Sequence, residues 1–121
     1  MIVRKVQGDS IQFFENDTPV LTIEEPDADD GVVMILKGAL KSEFADHIQD
    51  ELDAYTTIGI KVLIDFKEAT FVSAALLKAL LNSQQLVDYF RNNQIVLKNI
   101  PHAVYREMDK SGISELLMIE T

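Results

Sequence analysis

Residues 32–66 read VVMILKGALKSEFADHIQDELDAYTTIGIKVLIDF, in which two apolar runs enclose an amphipathic segment. Residues 32–36 and 62–64 are continuously apolar, as is typical of central strands that are buried on both faces. Ser42 is a suitable N-cap for a helix between the runs, and Gly59 is a suitable terminator. The apolar residues of that helix recur at the spacing of one face: Phe44, Ile48, Leu52 and Tyr55. This stretch therefore predicts a strand–helix–strand unit.

The alternation of strands and helices continues towards the C-terminus. Residues 67–72 are predicted to connect the second strand to a long helix, residues 73–92. Residues 95–97 are a third apolar strand, and residues 104–110 follow as a short helix. Residues 113–119 form a last apolar piece whose pattern fits either a strand or a helix.

The N-terminal part of the chain is β-rich and broken by turn signals. Gly8-Asp9 separates two β-rich pieces, so residues 1–19 are predicted to form a hairpin. Residues 20–23 are a further strand candidate, and residues 26–31 (Pro-Asp-Ala-Asp-Asp-Gly) are a strong turn signal.

These elements predict the fold class. Strands that alternate with helices favour a mixed sheet with parallel central strands and right-handed crossovers. A chain of 121 residues suits one domain. We therefore predict an α/β single domain, a mixed four- to five-stranded sheet with helices packed on it, formed by residues 20–121. An N-terminal β extension, residues 1–19, precedes it.

The charge of the chain limits its partners. The formal net charge is -9, from 20 acidic and 11 basic residues. Such a field repels phosphate backbones, which argues against nucleic-acid binding and favours either a basic protein surface as partner or solubility alone. No apolar run follows Arg4-Lys5, and no stretch approaches the ~20 apolar residues of a membrane span. We therefore expect a cytoplasmic protein without membrane insertion.

The sequence contains none of the usual catalytic patterns. It has no phosphate-binding glycine loop, nucleophile elbow or His-Glu-x-x-His helix, and without cysteine it has no thiolate metal site. His47 and His102 are predicted as exposed histidines, and Asp65 as a cap for the backbone that follows it. The acidic residues 24–30 lack the calcium-loop pattern. We therefore expect no enzyme activity, no cofactor and no metal.

The order and spacing of the segments resemble those of the STAS domain, the family of anti-sigma-factor antagonists, over about residues 20–119. The matching pieces are a strand ending in glycine, a helix, a strand ending in aspartate, a loop entering a helix, a strand and a glycine turn. They correspond to residues 32–38, 42–55, 62–65, 70–81, 95–99 and 111–112. The resemblance implies this fold and a bacterial signalling role through protein–protein interaction.

The chain departs from the family at the start of the second helix. The family has an apolar pair and then Asp-Ser-x-Gly, in which the serine accepts phosphate. Here Phe71-Val72 is followed by Ser73 in place of the aspartate, Ala74 in place of the acceptor serine and Leu76 in place of the glycine. The resemblance therefore implies partner binding without the usual phosphorylation switch. Ser73 is interpreted either as a helix N-cap or as a phosphorylation site displaced by one residue.

The predicted partner surface combines the start of the second helix with the loop after the first central strand. Its residues are Lys41, Ser42, Ser73, Ala74, Ala75 and Lys78. The two alanines are either ordinary helix formers or a flat patch that another protein can approach. The leading hypothesis is a non-catalytic regulatory module that binds an anti-sigma kinase or another signalling protein. The alternatives are a small STAS subunit that docks on a transporter ATPase, and a domain that binds a small ligand at the carboxyl ends of its strands.

Overall fold

Antiparallel strands open the chain, and helices then alternate with strands. The computed structural model describes residues 2–8, 10–27, 31–90, 95–110, 112 and 117–120. The strands are β1 (Ile2–Gln7), β2 (Ser10–Glu15), β3 (Thr18–Asp27), β4 (Gly31–Leu40), β5 (Val62–Val72), β6 (Ile95–Lys98) and β7 (Met118–Glu120). The helices are α1 (Ala45–Thr56), which follows a 3₁₀ turn (Ser42–Phe44), α2 (Ala74–Phe90) and α3 (His102–Lys110).

The seven strands of the described residues form one sheet in chain order. β1 to β4 pair antiparallel, and β4 to β7 pair parallel. The parallel strands are added in one direction, so right-handed crossovers place the three helices on the same face of the sheet. The predicted fold class is confirmed. The sheet exceeds four to five strands because the N-terminal hairpin extends it at one edge.

The two faces of the sheet differ in burial. Met34 pairs with Ile64, and both side chains are fully buried beneath the helices. Val33 and Leu63 are the next pair, and both are only half-buried because they point to the opposite side. We call the first side the helix face and the second the open face. The main core of the domain therefore lies between the helices and the helix face.

The N-terminal hairpin is joined to this core. Phe13 is opposite Leu21 on the helix face, and its side chain is 3% exposed. Its ring meets His47 of α1 edge to face, with the centroids 6.0 Å apart. Arg4 donates to Glu51 of α1 across 2.7 Å, an exposed ion pair that contributes at most about 1 kcal/mol. Burial of Phe13 therefore joins the hairpin to the core, in addition to the pairing of β2 with β3.

The strands β4 and β5 are longer than predicted. The sequence indicated apolar strands at 32–36 and 62–64 and a connection at 67–72, but β4 continues to Leu40 and β5 to Val72. The two ends support each other, because Gly38 pairs with Ala69 and Leu40 with Val72. Two register shifts along this pair interrupt the alternation of apolar and polar residues. That alternation is the signal by which a strand is recognised in a sequence.

The beginning of the first helix also differs from the prediction. Ser42 lies inside the 3₁₀ turn, and Lys41 occupies the N-cap position without a side-chain hydrogen bond. The prediction that Ser42 caps the helix is therefore wrong. The buried face of that helix is confirmed, because Phe44, Ile48 and Leu52 are at most 2% exposed, with Tyr55 partly buried beside them.

The ends of the chain agree with the predicted order of elements. Gly8 makes the turn between β1 and β2 with a φ of 57°. The undecided C-terminal piece contains a strand, β7, which adds parallel to β6. Parts of several predictions lie outside the described residues: position 9 of the first turn, positions 28–30 of the acidic turn, the end of the long helix at 91–92, position 111 of the glycine turn, and residues 113–116.

Candidate functional site

The carboxyl ends of β4 and β5 bring the predicted partner residues together. The two strands end side by side, with Leu40 opposite Val72. The backbone N–H of Ser73 then donates to the carbonyl of Leu40 across 3.0 Å. This bond ties the start of α2 to the start of the Lys41–Ser42 loop. Residues that are about thirty positions apart in the sequence therefore form one surface.

Ser73 is the N-cap of α2. Its Oγ accepts a hydrogen bond from the N–H of Leu76 across 3.2 Å, and its carbonyl accepts from the N–H of Leu77 across 3.2 Å. The side chain is buried, at 9% exposure. The cap interpretation of Ser73 is confirmed, since the hydroxyl satisfies one of the free N–H groups at the helix start.

Ala74, Ala75 and Lys78 lie on the exposed side of α2. Ala74 and Lys78 are four residues apart, so their side chains project from the same face of the helix. Lys41 and Ser42 are also exposed, at the end of β4. Together with Ser73 these residues form what we call the alanine surface: Lys41, Ser42, Ser73, Ala74, Ala75 and Lys78.

The alanine surface differs in charge from the rest of the chain. Its two lysines stand on either side of small side chains, in a protein whose net charge is -9. Among the residues that the structure describes, no carboxylate lies within 4.0 Å of Lys41 or Lys78. Both ammonium groups therefore face solvent, and both can bind carboxylates or carbonyl groups of another molecule.

Other residues singled out by the sequence lie away from this surface. His47 is on α1 and His102 on α3, both exposed, as predicted. Asp65 is in the middle of β5, where its Oδ1 accepts from the N–H of Lys67 across 2.8 Å. The predicted capping is confirmed, although the capped backbone is a bulged strand. The same oxygen accepts from Nδ2 of Asn99 across 3.0 Å, a contact that the sequence did not indicate.

Phe71 is a residue whose exposure the sequence did not predict. Its side chain is 53% exposed at the end of β5, next to the alanine surface. The register shift next to Phe71 explains this exposure, because an extra residue turns the following side chain to the other face.

Three of the shallow pockets in the described part of the chain lie beside the sheet. One of about 280 Å³ lies between the hairpin and α1, and one of about 300 Å³ lies beside Lys37, Gly38 and Lys41. The third, of about 140 Å³, lies between the end of β5 and α3. Within the described ranges, no three His, Asp or Glu side chains converge as metal ligands. None of the helices described is long and apolar enough to cross a bilayer.

The fold is similar to solved structures of anti-sigma-factor antagonists. Unphosphorylated SpoIIAA matches with a TM-score of 0.69 and 17% identity, over 84% of this chain and 89% of that one. TM1081 of Thermotoga maritima matches with a TM-score of 0.68 and 16% identity, over 78% and 82%. The phosphorylated form of the Bacillus SpoIIAA gives 0.66 and 16%, over 84% and 92%. At such identities the likeness shows the fold alone.

The sequence itself matches a family model. No curated protein sequence matches the chain. The model of the STAS domain matches residues 21–121, which is most of the chain and begins within β3. The hairpin β1–β2 lies outside that match. The chain therefore belongs to the STAS domain family.

Proposed function

We propose that this protein is a non-catalytic regulatory module that binds a signalling protein through the alanine surface, as an anti-sigma-factor antagonist does. The observation that carries the proposal is the exposure of Ala74 and Ala75 between two lysines at the start of a capped helix. Small side chains leave the helix backbone open to close approach. The partner that we propose is an anti-sigma factor of the kinase type or a related signalling protein.

The chemistry of the alanine surface favours binding over catalysis. It consists of two methyl groups, two hydroxyls and two ammonium groups. A nucleophile needs a neighbouring base to be activated. The hydroxyl of Ser73 instead accepts a hydrogen bond from the backbone N–H of Leu76. The lysines are suited to fixing the orientation of a partner, since charged groups at an interface contribute more to specificity than to affinity.

Replacing Ala74 by glutamate is the direct test of this proposal. We expect Ala74→Glu to weaken binding of the partner more than tenfold, or about 1.4 kcal/mol, because it places bulk and charge at the centre of the alanine surface. The melting temperature is expected to change little, since a carboxylate is favourable in the first turn of a helix. Mass spectrometry identifies the proteins that the wild type retains from cell extract and the variant does not. Each is then purified, and calorimetry measures its affinity for the wild type and for the variant.

Ala54→Glu is the matched control, because Ala54 is an exposed alanine on α1, away from the alanine surface. It adds the same group and is expected to leave binding unchanged. Equal loss of affinity in both variants would assign the effect to total charge. Unchanged binding in Ala74→Glu would place the partner elsewhere and contradict the proposal.

We further propose that the start of α2 is not a phosphorylation switch. Phosphoryl transfer depends mainly on the positioning of the acceptor oxygen. Ala74, at the usual acceptor position, is exposed but has no oxygen, and Ser73 is buried with its hydroxyl engaged as the helix cap. Ser73→Ala is expected to lower the free energy of unfolding by about 1 kcal/mol, because the helix cap is lost.

Mass spectrometry of the protein from growing and stressed cells checks this expectation. Unmodified Ser73 under both conditions supports it. Substantial phosphate on Ser73, together with a change in partner affinity that Ser73→Ala abolishes, would show that the acceptor has shifted by one residue.

A further inference from the structure

The end of β5 has an edge that no other strand covers in the described part of the chain. β5 has eleven residues, and β6 pairs only with its first four, from Val62 to Asp65. On the other side β4 pairs with β5 as far as Val72. Beyond Asp65 the backbone groups that point away from β4 therefore have no neighbouring strand among the described residues. Such an edge is a template for an added strand.

Side-chain hydrogen bonds occupy the beginning of this edge. The Oδ1 atom of Asp65 accepts from the backbone N–H of Lys67 across 2.8 Å and from Nδ2 of Asn99 across 3.0 Å. Asn99 has a φ of 57°, and with it the chain turns out of the sheet after β6. These contacts close the gap at the point where β6 ends. The open part of the edge is therefore residues 68–72.

An apolar pocket lies beside the open edge. It has a volume of about 140 Å³, close to that of a cavity that takes a benzene ring. Its lining is made by residues of α2 and α3 on the helix side and by residues at the end of β5: Leu77, Ala103, Val104 and Glu107, with Thr70, Phe71 and Val72. One branched or aromatic side chain fits this space.

Phe71 provides a second apolar contact, on the other side of the edge. It pairs with Ala39, whereas Val72 pairs with Leu40, whose side chain is fully buried on the helix face. Since side chains alternate along a strand, Phe71 lies on the open face while the pocket beside Val72 lies on the helix face. Consecutive residues of an added strand would therefore meet the pocket and then the Phe71 ring.

We propose that residues 68–72 of β5 bind an extended segment of the protein partner as an additional strand of the sheet. An unpaired strand edge bonds to an extended chain and not to a helix, which fixes the conformation of this segment. It carries two consecutive apolar residues, one in the pocket and one on Phe71. A basic residue flanks them, because the exposed Glu68 lies on the edge and the chain has a net charge of -9. The edge adjoins the alanine surface, and the inference rests on the proposed function.

A peptide library tests the edge without the natural partner. Random decapeptides displayed on phage are selected on the wild-type protein and counter-selected on Ala103→Phe. Ala103 is exposed and lines the pocket, so a phenylalanine ring fills that space from the surface. We expect peptides with two adjacent apolar residues and a basic neighbour. A synthetic copy should slow hydrogen exchange of the amides of residues 68–72. Methylation of its backbone nitrogens should weaken binding at least ~10-fold, since the strand bonds are then lost.

Thr70→Pro is the second variant and acts on the backbone. Thr70 is the extra residue at the register shift, a position where proline is tolerated, and the change removes one backbone N–H within residues 68–72. Binding of the selected peptide should fall at least ~10-fold in this variant and remain unchanged in Ala74→Glu. Selection of no such peptides, or protection of amides elsewhere, would overturn the inference. The proposed function would remain if Ala74→Glu still weakened partner binding.

Discussion

Replacing Phe13 by alanine is expected to lower the free energy of unfolding by about 3–5 kcal/mol, the usual cost of removing a buried aromatic side chain. Phe13 is 3% exposed and belongs to the same core cluster as Leu21 and Leu52. A separately folded N-terminal extension would not transmit this loss to the rest of the domain. Urea unfolding followed by circular dichroism measures the change, and a single shifted transition is the expected form.

Phe14→Ala is the control for this change, because Phe14 is the neighbouring residue and points to the open face. It is half-buried, with the ammonium of Lys5 5.1 Å from its ring centre. Its loss is expected to cost about 1 kcal/mol, from partial burial and one exposed cation–π contact. Similar losses in the two variants, or a separate early transition in Phe13→Ala, would mean that the hairpin does not belong to the cooperative unit.

Gly31→Ala is expected to destabilise the protein by about 3 kcal/mol or more. Gly31 begins β4 with a φ of 83°, which costs an alanine about 1–2 kcal/mol by itself. In addition, a Cβ at this position would overlap the carbonyl oxygen of Lys61. That oxygen accepts the N–H of Val32 across 2.9 Å, the bond that starts the pairing of β4 with β5. Relief of the overlap therefore moves the strands apart where the parallel sheet begins.

Gly59→Ala separates the two costs in Gly31→Ala. Gly59 has a φ of 81°, and no atom lies within 4 Å of the position of its absent Cβ. Gly59→Ala should therefore lower the free energy of unfolding only by the conformational cost of about 1–2 kcal/mol. Thermal and urea unfolding of both variants give the difference. Equal decreases in the free energy of unfolding would show that the structure relieves the overlap with Lys61 without losing stability.

The order of elements could be predicted because the apolar runs are separated by clear helix signals. The runs at 32–36, 62–64 and 95–97 each lie in a strand of the sheet. Ser73 was recognised as a cap because a hydroxyl before a helical run is a local signal. These features depend on a few neighbouring residues, so they can be recognised without knowing which distant residues pack against them.

The main features that were missed depend on distant parts of the chain, whereas one missed turn is local. Residues 67–72 resemble a connection because they begin with Lys67-Glu68 and the alternation is broken, yet they form the end of β5 because the end of β4 pairs with them. Asn16 and Asp17 both have positive φ, 50° and 66°, in the tight turn from β2 to β3. Asn-Asp was a readable sign of such a turn. The alanine surface was located through the family resemblance, whereas the open edge of β5 depends on the length of β6.

The strand order of the sheet has a consequence for how the chain folds. Each described strand pairs with the strand next to it in the sequence, so no pair joins strands that are separated by another strand. β1 to β4 are joined by short connections, and loop-closure entropy for such pairings is small. Each parallel pairing from β4 onwards must first order a crossover helix. The antiparallel meander is therefore the part that can form first, and the parallel strands follow as their crossover helices become ordered. Pairing between neighbours along the chain favours faster folding than pairing between remote strands would.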